Sequence, residues 1–210
     1  MGKKSKKKTL TEIVCVLDRS GSMNSIIDDA IGGFNTFLQD QKELDEGMAR
    51  MTIAMFDDDY ELICESKDIQ DVEDFTRNTY VPRGSTALND AIGKTITTVG
   101  EIFNKRDKKD KPDNVVFVIL TDGRENASRE YQIDRVKELI GQNEKDNNWK
   151  FIFLSSDVDA FTQGSSFGIS HTSHMVKTGK GTRSAYNYLS SSVKTCRSTG
   201  DISNVEKNIK

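Results

Sequence analysis

The stretch VCVLDRSGSM, residues 14–23, places one carboxylate and two hydroxyls two residues apart directly behind an apolar run. Asp18, Ser20 and Ser22 in this spacing admit three chemistries: a solvated turn, a phosphatase nucleophile loop, or one part of a metal site. A dehalogenase-type phosphatase also sets a nucleophilic Asp after its first strand. It needs a second Asp two residues later as general acid, and Ser20 stands there. A serine nucleophile elbow requires G-x-S-x-G, which frames neither Ser20 nor Ser22. Serines capping a helix beside a turn aspartate remain the plain structural alternative.

The elements that must position these residues are written in the hydropathy pattern. EIVCVL (12–17), MTIAMF (51–56), NVVFVIL (114–120) and WKFIFL (149–154) are apolar runs of strand length, as buried parallel strands require. Tyr60, Leu62 and Cys64 alternate with Glu61 and Glu65, which predicts a half-exposed antiparallel edge strand reached through the Asp57–Asp59 turn. Helical spacing recurs from Ile26 to Leu38, from Leu88 to Phe103, from Val136 to Ile140 and from Ala185 to Cys196. A short helix is expected to begin near Asp159 and a weak strand to cover His174 to Lys177. Strands alternating with helices predict a parallel α/β sheet covered on both faces. With no internal repeat or linker, one domain is expected over residues 10–198. A basic tail (1–9) and a polar tail (199–210) flank it.

In open α/β sheets, ligands gather beyond the carboxyl ends of the strands. Asp122, in TDGREN behind the third apolar strand, occupies the place that Asp18 holds behind the first, and PRGSTALND puts Thr86 in a loop before a helix. Asp18, Ser20, Ser22, Thr86 and Asp122 can therefore converge from three loops. Two carboxylates and three neutral hydroxyls suit a hard cation, Mg²⁺ first and Mn²⁺ as a substitute. They leave it under-neutralised, especially where the carboxylates act through bound water, so it attracts an anionic sixth ligand such as a partner's carboxylate. Arg19, Arg83 and Arg124 stand beside these positions and could guide an acidic segment, with Met23 and Tyr80 as apolar rim contacts.

DRSGSM, RGSTALNDAIG and VILTDGRENASRE together resemble the three motif loops of von Willebrand factor A-type domains, most nearly the small stand-alone bacterial and phage members. The likeness runs from about Glu12 to about Arg197. It implies a Rossmann-like, doubly wound α/β sheet of six strands ordered 3-2-1-4-5-6, with the third antiparallel and helices on both faces. It also implies a metal-ion-dependent adhesion site that captures an acidic residue of a partner protein without catalysis. In that site Ser20 and Ser22 match direct hydroxyl ligands, Thr86 a switchable third ligand, and Asp18 and Asp122 carboxylates that often act through water. The turn Ser155-Ser156-Asp157 departs from the Gly-Ala-Asn common in similar domains.

Other features carry less. The 210 residues hold 30 basic and 33 acidic side chains, and a net charge of -3 is not the basic field of a dedicated nucleic-acid binder. Lys3, Lys4, Lys6, Lys7 and Lys8 could touch a polyanion weakly, which leaves an assembly or nucleic-acid-associated role as an alternative. An accessory subunit of a separate ATPase or chelatase-like complex is another. No signal-peptide core or membrane-length apolar stretch is present, and the scattered Cys15, Cys64 and Cys196 read as buried thiols in a reducing cytoplasm. AIGKT (91–95) lacks the upstream glycine spacing of a phosphate loop, and GKGT (179–182) lacks that glycine altogether. His171 and His174, three apart beside a strand, would point to opposite faces rather than to one ion.

Overall fold

The computed structural model describes residues 9–45, 47–156, 162, 164–175 and 179–203. Lys3–Lys8, Asp157, the helix start expected near Asp159 and the last residues of the polar tail lie outside this set. Six strands form one sheet: β1 (Leu10–Asp18), β2 (Met48–Phe56), β3 (Tyr60–Asp68), β4 (Asn114–Thr121), β5 (Lys150–Ser155) and β6 (His171–His174). Their order is β3-β2-β1-β4-β5-β6, and every pairing is parallel except β2 with β3. Among the described residues the long helices are α1 (Ile27–Lys42), α2 (Leu88–Asn104), α3 (Ile133–Asn147) and α4 (Gly179–Thr199).

The alternation of each strand sorts its side chains between two cores. Ile13, Cys15 and Leu17 of β1 join Phe34 and Phe37 of α1 and Leu189 and Val193 of α4. Val14 and Val16 point the other way, to Ile92 and Ile96 of α2 and Val136 and Ile140 of α3. Central strands must therefore be apolar throughout, and β1 is buried along its whole length. This is the doubly wound, Rossmann-like α/β architecture expected from the sequence.

At the edges the pattern is weaker. β3 alternates half-buried and exposed residues, as an edge strand with one wet face does, and its pairing to β2 shifts register near Ile53. β6 lies three residues earlier than expected, pairing Ile152 with His171 through Ser155 with His174. The ladder buries Thr172 and Ser173, and the Met175 amide closes it on the Ser155 carbonyl at 2.6 Å. In a four-residue edge strand, backbone pairing decides the register more than hydropathy does.

Candidate metal centre

β1 and β4 are neighbours, with Leu17 opposite Leu120, so the residues just past that pair meet at the carboxyl end of the sheet. Asp18 closes β1 and Asp122 follows β4, both buried. Asp18 accepts the Ser20 amide at 2.6 Å on one oxygen and the Thr121 hydroxyl at 2.5 Å on the other. Burial pushes its carboxyl up to about 6; the Thr121 and Ser20 hydrogen bonds oppose the rise and the Asp122 charge adds to it. A 3-10 turn, Gly21–Ile26, follows and carries Ser22 to the surface. Its hydroxyl donates to Asp122 Oδ1 at 2.5 Å and lies 3.0 Å from the Ser20 hydroxyl.

Thr86 reaches the same cluster from the loop ahead of α2. A Cβ at Gly123 would lie 3.2 Å from Thr86 Oγ1 and 3.4 Å from Ser22 Oγ. Glycine thus keeps a small space open between two hydroxyls. Asn126 fixes the Thr86 backbone, taking its amide at 2.9 Å and donating to its carbonyl at 3.0 Å. All five side chains singled out from the sequence therefore stand together. Their donor set is all oxygen, two carboxylates and three hydroxyls around a glycine-lined gap, which suits a hard cation such as Mg²⁺ or Mn²⁺. Among the described residues, no group of three or more His, Cys, Asp and Glu side chains is placed to hold an ion.

The rim differs from expectation. Met23, at 0% exposure, points into the core shared by α1 and α4, because the 3-10 turn rotates it inward. Tyr80, at 3%, lies beneath the site: its hydroxyl donates to the Asp18 carbonyl oxygen, and its ring stacks on Phe75. Neither is a rim contact. The next residue, Val81, is 52% exposed. Tyr80 stands at a bend directly after a turn, so no regular period in the sequence told which of the two neighbours faces out.

Arg19 is also buried, at 7%, and is no guide for a partner. Its Nε donates to Asp57 Oδ2 at 2.9 Å and its Nη1 to Glu61 at 2.7 Å. Arg83 is half-exposed but donates its own Nε to the same Asp57 oxygen at 2.7 Å. Burial works to raise the Asp57 carboxyl, yet the hydrogen bonds from Arg83, the Asp59 amide and Arg19 hold it below its ordinary value. Arg124 is exposed beside Asp122. Glu125 accepts the amides of Asn89, Ala127 and Ser128 and so ties this loop to the first turn of α2. Asn126, Asp57 and Glu125 escaped the sequence reading as site supports. Lys94 sits within α2, paired with Glu130 at 2.7 Å, and His174 contacts the Ser156 carbonyl at 3.2 Å.

Fold and site define an α/β chain with an oxygen-rich cluster where its strand order reverses. The model of the von Willebrand factor type A domain matches residues 13–125, more than half of the 210, and the chain belongs to that family. No curated protein matches it in sequence. Among solved structures it is similar to the PilB minor pilin from Streptococcus sanguinis. That match has a TM-score of 0.65 at 12% identity, covering 89% of this chain and 62% of the pilin. The vWF domain of the type V pili tip protein Mfa5 from Porphyromonas gingivalis matches at 0.61 with 10% identity, covering 94% of this chain and 99% of that one. Manganese-loaded TRAP protein from Plasmodium vivax matches at 0.60 with 15% identity, covering 81% and 70%. At these identities the likeness is one of fold, and the chain spans under two thirds of the pilin's length.

Proposed function

We propose that residues 10–198 form a non-enzymatic, metal-dependent protein-binding domain that works in a reducing cytoplasm. Asp18, Ser20, Ser22, Thr86 and Asp122 would hold a Mg²⁺, with Mn²⁺ as a substitute. When bound, the ion supplies a positive centre with a coordination position for an Asp or Glu carboxylate of a partner protein. The observation that carries this reading is the junction of two buried carboxylates with the exposed Ser22 hydroxyl, which gives a charged cluster an outlet to solvent. Asp18 and Asp122 furnish negative charge from below. Ser20, Ser22 and Thr86 furnish neutral oxygens; with the carboxylates acting through bound water, the oxygens nearest the ion would be uncharged and an anionic ligand would still be attracted. Exposed Arg124, two residues past Asp122, offers a cationic contact for the arriving segment. No histidine stands among these residues to act as a base, and the three cysteines are free thiols.

The test is capture of partners from lysate on immobilised protein, with Mg²⁺, with chelator, and with Asp122→Ala. A partner held only in Mg²⁺, lost to chelator and absent from the variant is expected. Equal capture in all three would sink the reading.

A further inference from the structure

The β2–β3 turn is three consecutive aspartates, and each oxygen that matters is already committed. Asp57 Oδ2 accepts from both guanidinium groups, Arg19 and Arg83, while its Oδ1 takes the Asp59 amide at 2.7 Å. The Asp57 carbonyl accepts the Ala87 amide at 2.9 Å, and the Asp58 carboxylate accepts the Ser85 amide. The turn therefore grips residues 83, 85 and 87, every second residue of the loop that carries Thr86. The residues between are held from the other side. The Gly84 carbonyl takes the Gly21 amide at 3.1 Å, and Asn126 brackets Thr86. Gly84 manages this at φ +63°, and a Cβ there would come within 2.8 Å of the Asp58 carboxylate.

This arrangement makes the turn unsuited to a second cation, since its carboxylates face guanidinium and amide donors. It also joins two of the three motif loops. Arg19 lies between Asp18 and Ser20, and its carbonyl accepts the Arg83 amide at 2.8 Å. One carboxylate thus sets the spacing between the loop of Ser20 and Ser22 and the loop of Thr86. We propose that Asp57 is the positioning residue for the Thr86 hydroxyl, acting through Arg19 and Arg83 to hold the third hydroxyl at the ion site in one place. The inference rests on the reading of Thr86 as a ligand. It gives Arg19 and Arg83 an internal task in place of contact with a partner.

The test uses the whole chain and Mn²⁺ alone, measuring affinity by electron paramagnetic resonance and water coordination by proton relaxation of the bound ion. Thr86→Ala sets the benchmark for a lost hydroxyl. Asp57→Asn, which keeps an acceptor but removes the charge, should weaken Mn²⁺ about tenfold, the low end for partners of ligands. It should also raise relaxation towards the Thr86→Ala value as water replaces the hydroxyl. The double variant should then lose nothing beyond Thr86→Ala. Arg83→Gln, on a half-exposed side chain, should show the same signature where Asp57→Asn folds poorly, and Arg77→Gln, an exposed pair with Asp28, should not. Additive losses, or unchanged relaxation in both clamp variants while Thr86→Ala shifts it, overturn the clamp alone. Absence of Mn²⁺ uptake by the natural chain overturns the metal reading, and the clamp falls with it.

Discussion

β1 carries a buried carboxylate near each end, and the two ends have been put to different uses. At the amino end, Glu12 accepts the Thr52 hydroxyl at 2.7 Å and the Ser66 hydroxyl at 2.6 Å, with the Arg106 guanidinium 3.9 Å away. At the carboxyl end, Asp18 likewise takes a hydroxyl and an amide, but its charged neighbour is a second carboxylate, Asp122. Glu12 is enclosed with its own donors and a cation beside it. Asp18 and Asp122 share hydroxyls that lead out to exposed Ser22. A lone buried carboxylate with its own donors is a structural element. Two carboxylates meeting at an open hydroxyl cluster call for a cation from outside. Burial alone therefore does not mark a site; what distinguishes the ends is whether charge is completed within the chain.

Metal addition should separate the ends most widely. A cation that binds the folded chain alone, at roughly 100 times its Kd, adds about 2.7 kcal/mol. In a chain of this size that is a Tm rise of about 5–10 °C. Calorimetry with Mg²⁺ and with chelator should show that rise in the natural protein and in Glu12→Gln, and none in Asp122→Ala. Loss of the response in Glu12→Gln with retention in Asp122→Ala would reverse the assignment of the two ends. A smaller effect should come from Gly123→Ala. The added methyl would lie 3.2 Å from Thr86 Oγ1 and 3.4 Å from Ser22 Oγ, tighter than ordinary contact but not a clash. It narrows the gap between two hydroxyls without touching a carboxylate, so Mg²⁺ affinity should fall about tenfold, or about 1.4 kcal/mol. Unchanged affinity in a calorimetric titration would place the ion elsewhere.

The open end was legible in the sequence because it obeys a rule of position. Polar residues directly behind buried parallel strands face the crevice, and Asp18 and Asp122 stand there on adjacent strands. Sheet order came from the resemblance of the motif loops, and the antiparallel β3 from the alternation of Tyr60 to Glu65. The closed end left no such mark, since Glu12 at the head of EIVCVL looks like the boundary of a strand rather than part of its core. Side-chain direction in irregular backbone was also beyond reach. Met23 and Tyr80 turn inward and Val81 outward in segments with neither helical nor strand period. Arg19 finds Asp57 across 38 positions, a pairing that no local spacing records. Where the chain is regular, hydropathy locates residues to within a turn; where loops meet, only the packed structure does.

The least effect, and the most specific to the closed end, is a pH dependence at Glu12. Burial pushes its carboxyl above the ordinary value of 4.5, while hydrogen bonds from Ser66 and Thr52 and the Arg106 charge pull the other way. The folded chain thus holds this proton more tightly than the unfolded chain does. The stability associated with it is complete below the unfolded value and is lost as pH rises through the raised folded value. Glu12→Gln does not titrate, keeps an acceptor for Thr52, and can offer its amide to the Ser66 oxygen. Its Tm relative to the natural protein should therefore climb as pH rises above the ordinary value of 4.5, and level off once the folded chain has lost the proton. The sign is what the measurement reads: a Tm difference in favour of Glu12→Gln that grows with pH. Measured with chelator present, the change isolates the closed end from any ion at the open one. A Tm difference that stays flat with pH would mean that Thr52, Ser66 and Arg106 compensate the charge in full, and the two ends of β1 would then differ only in access to solvent.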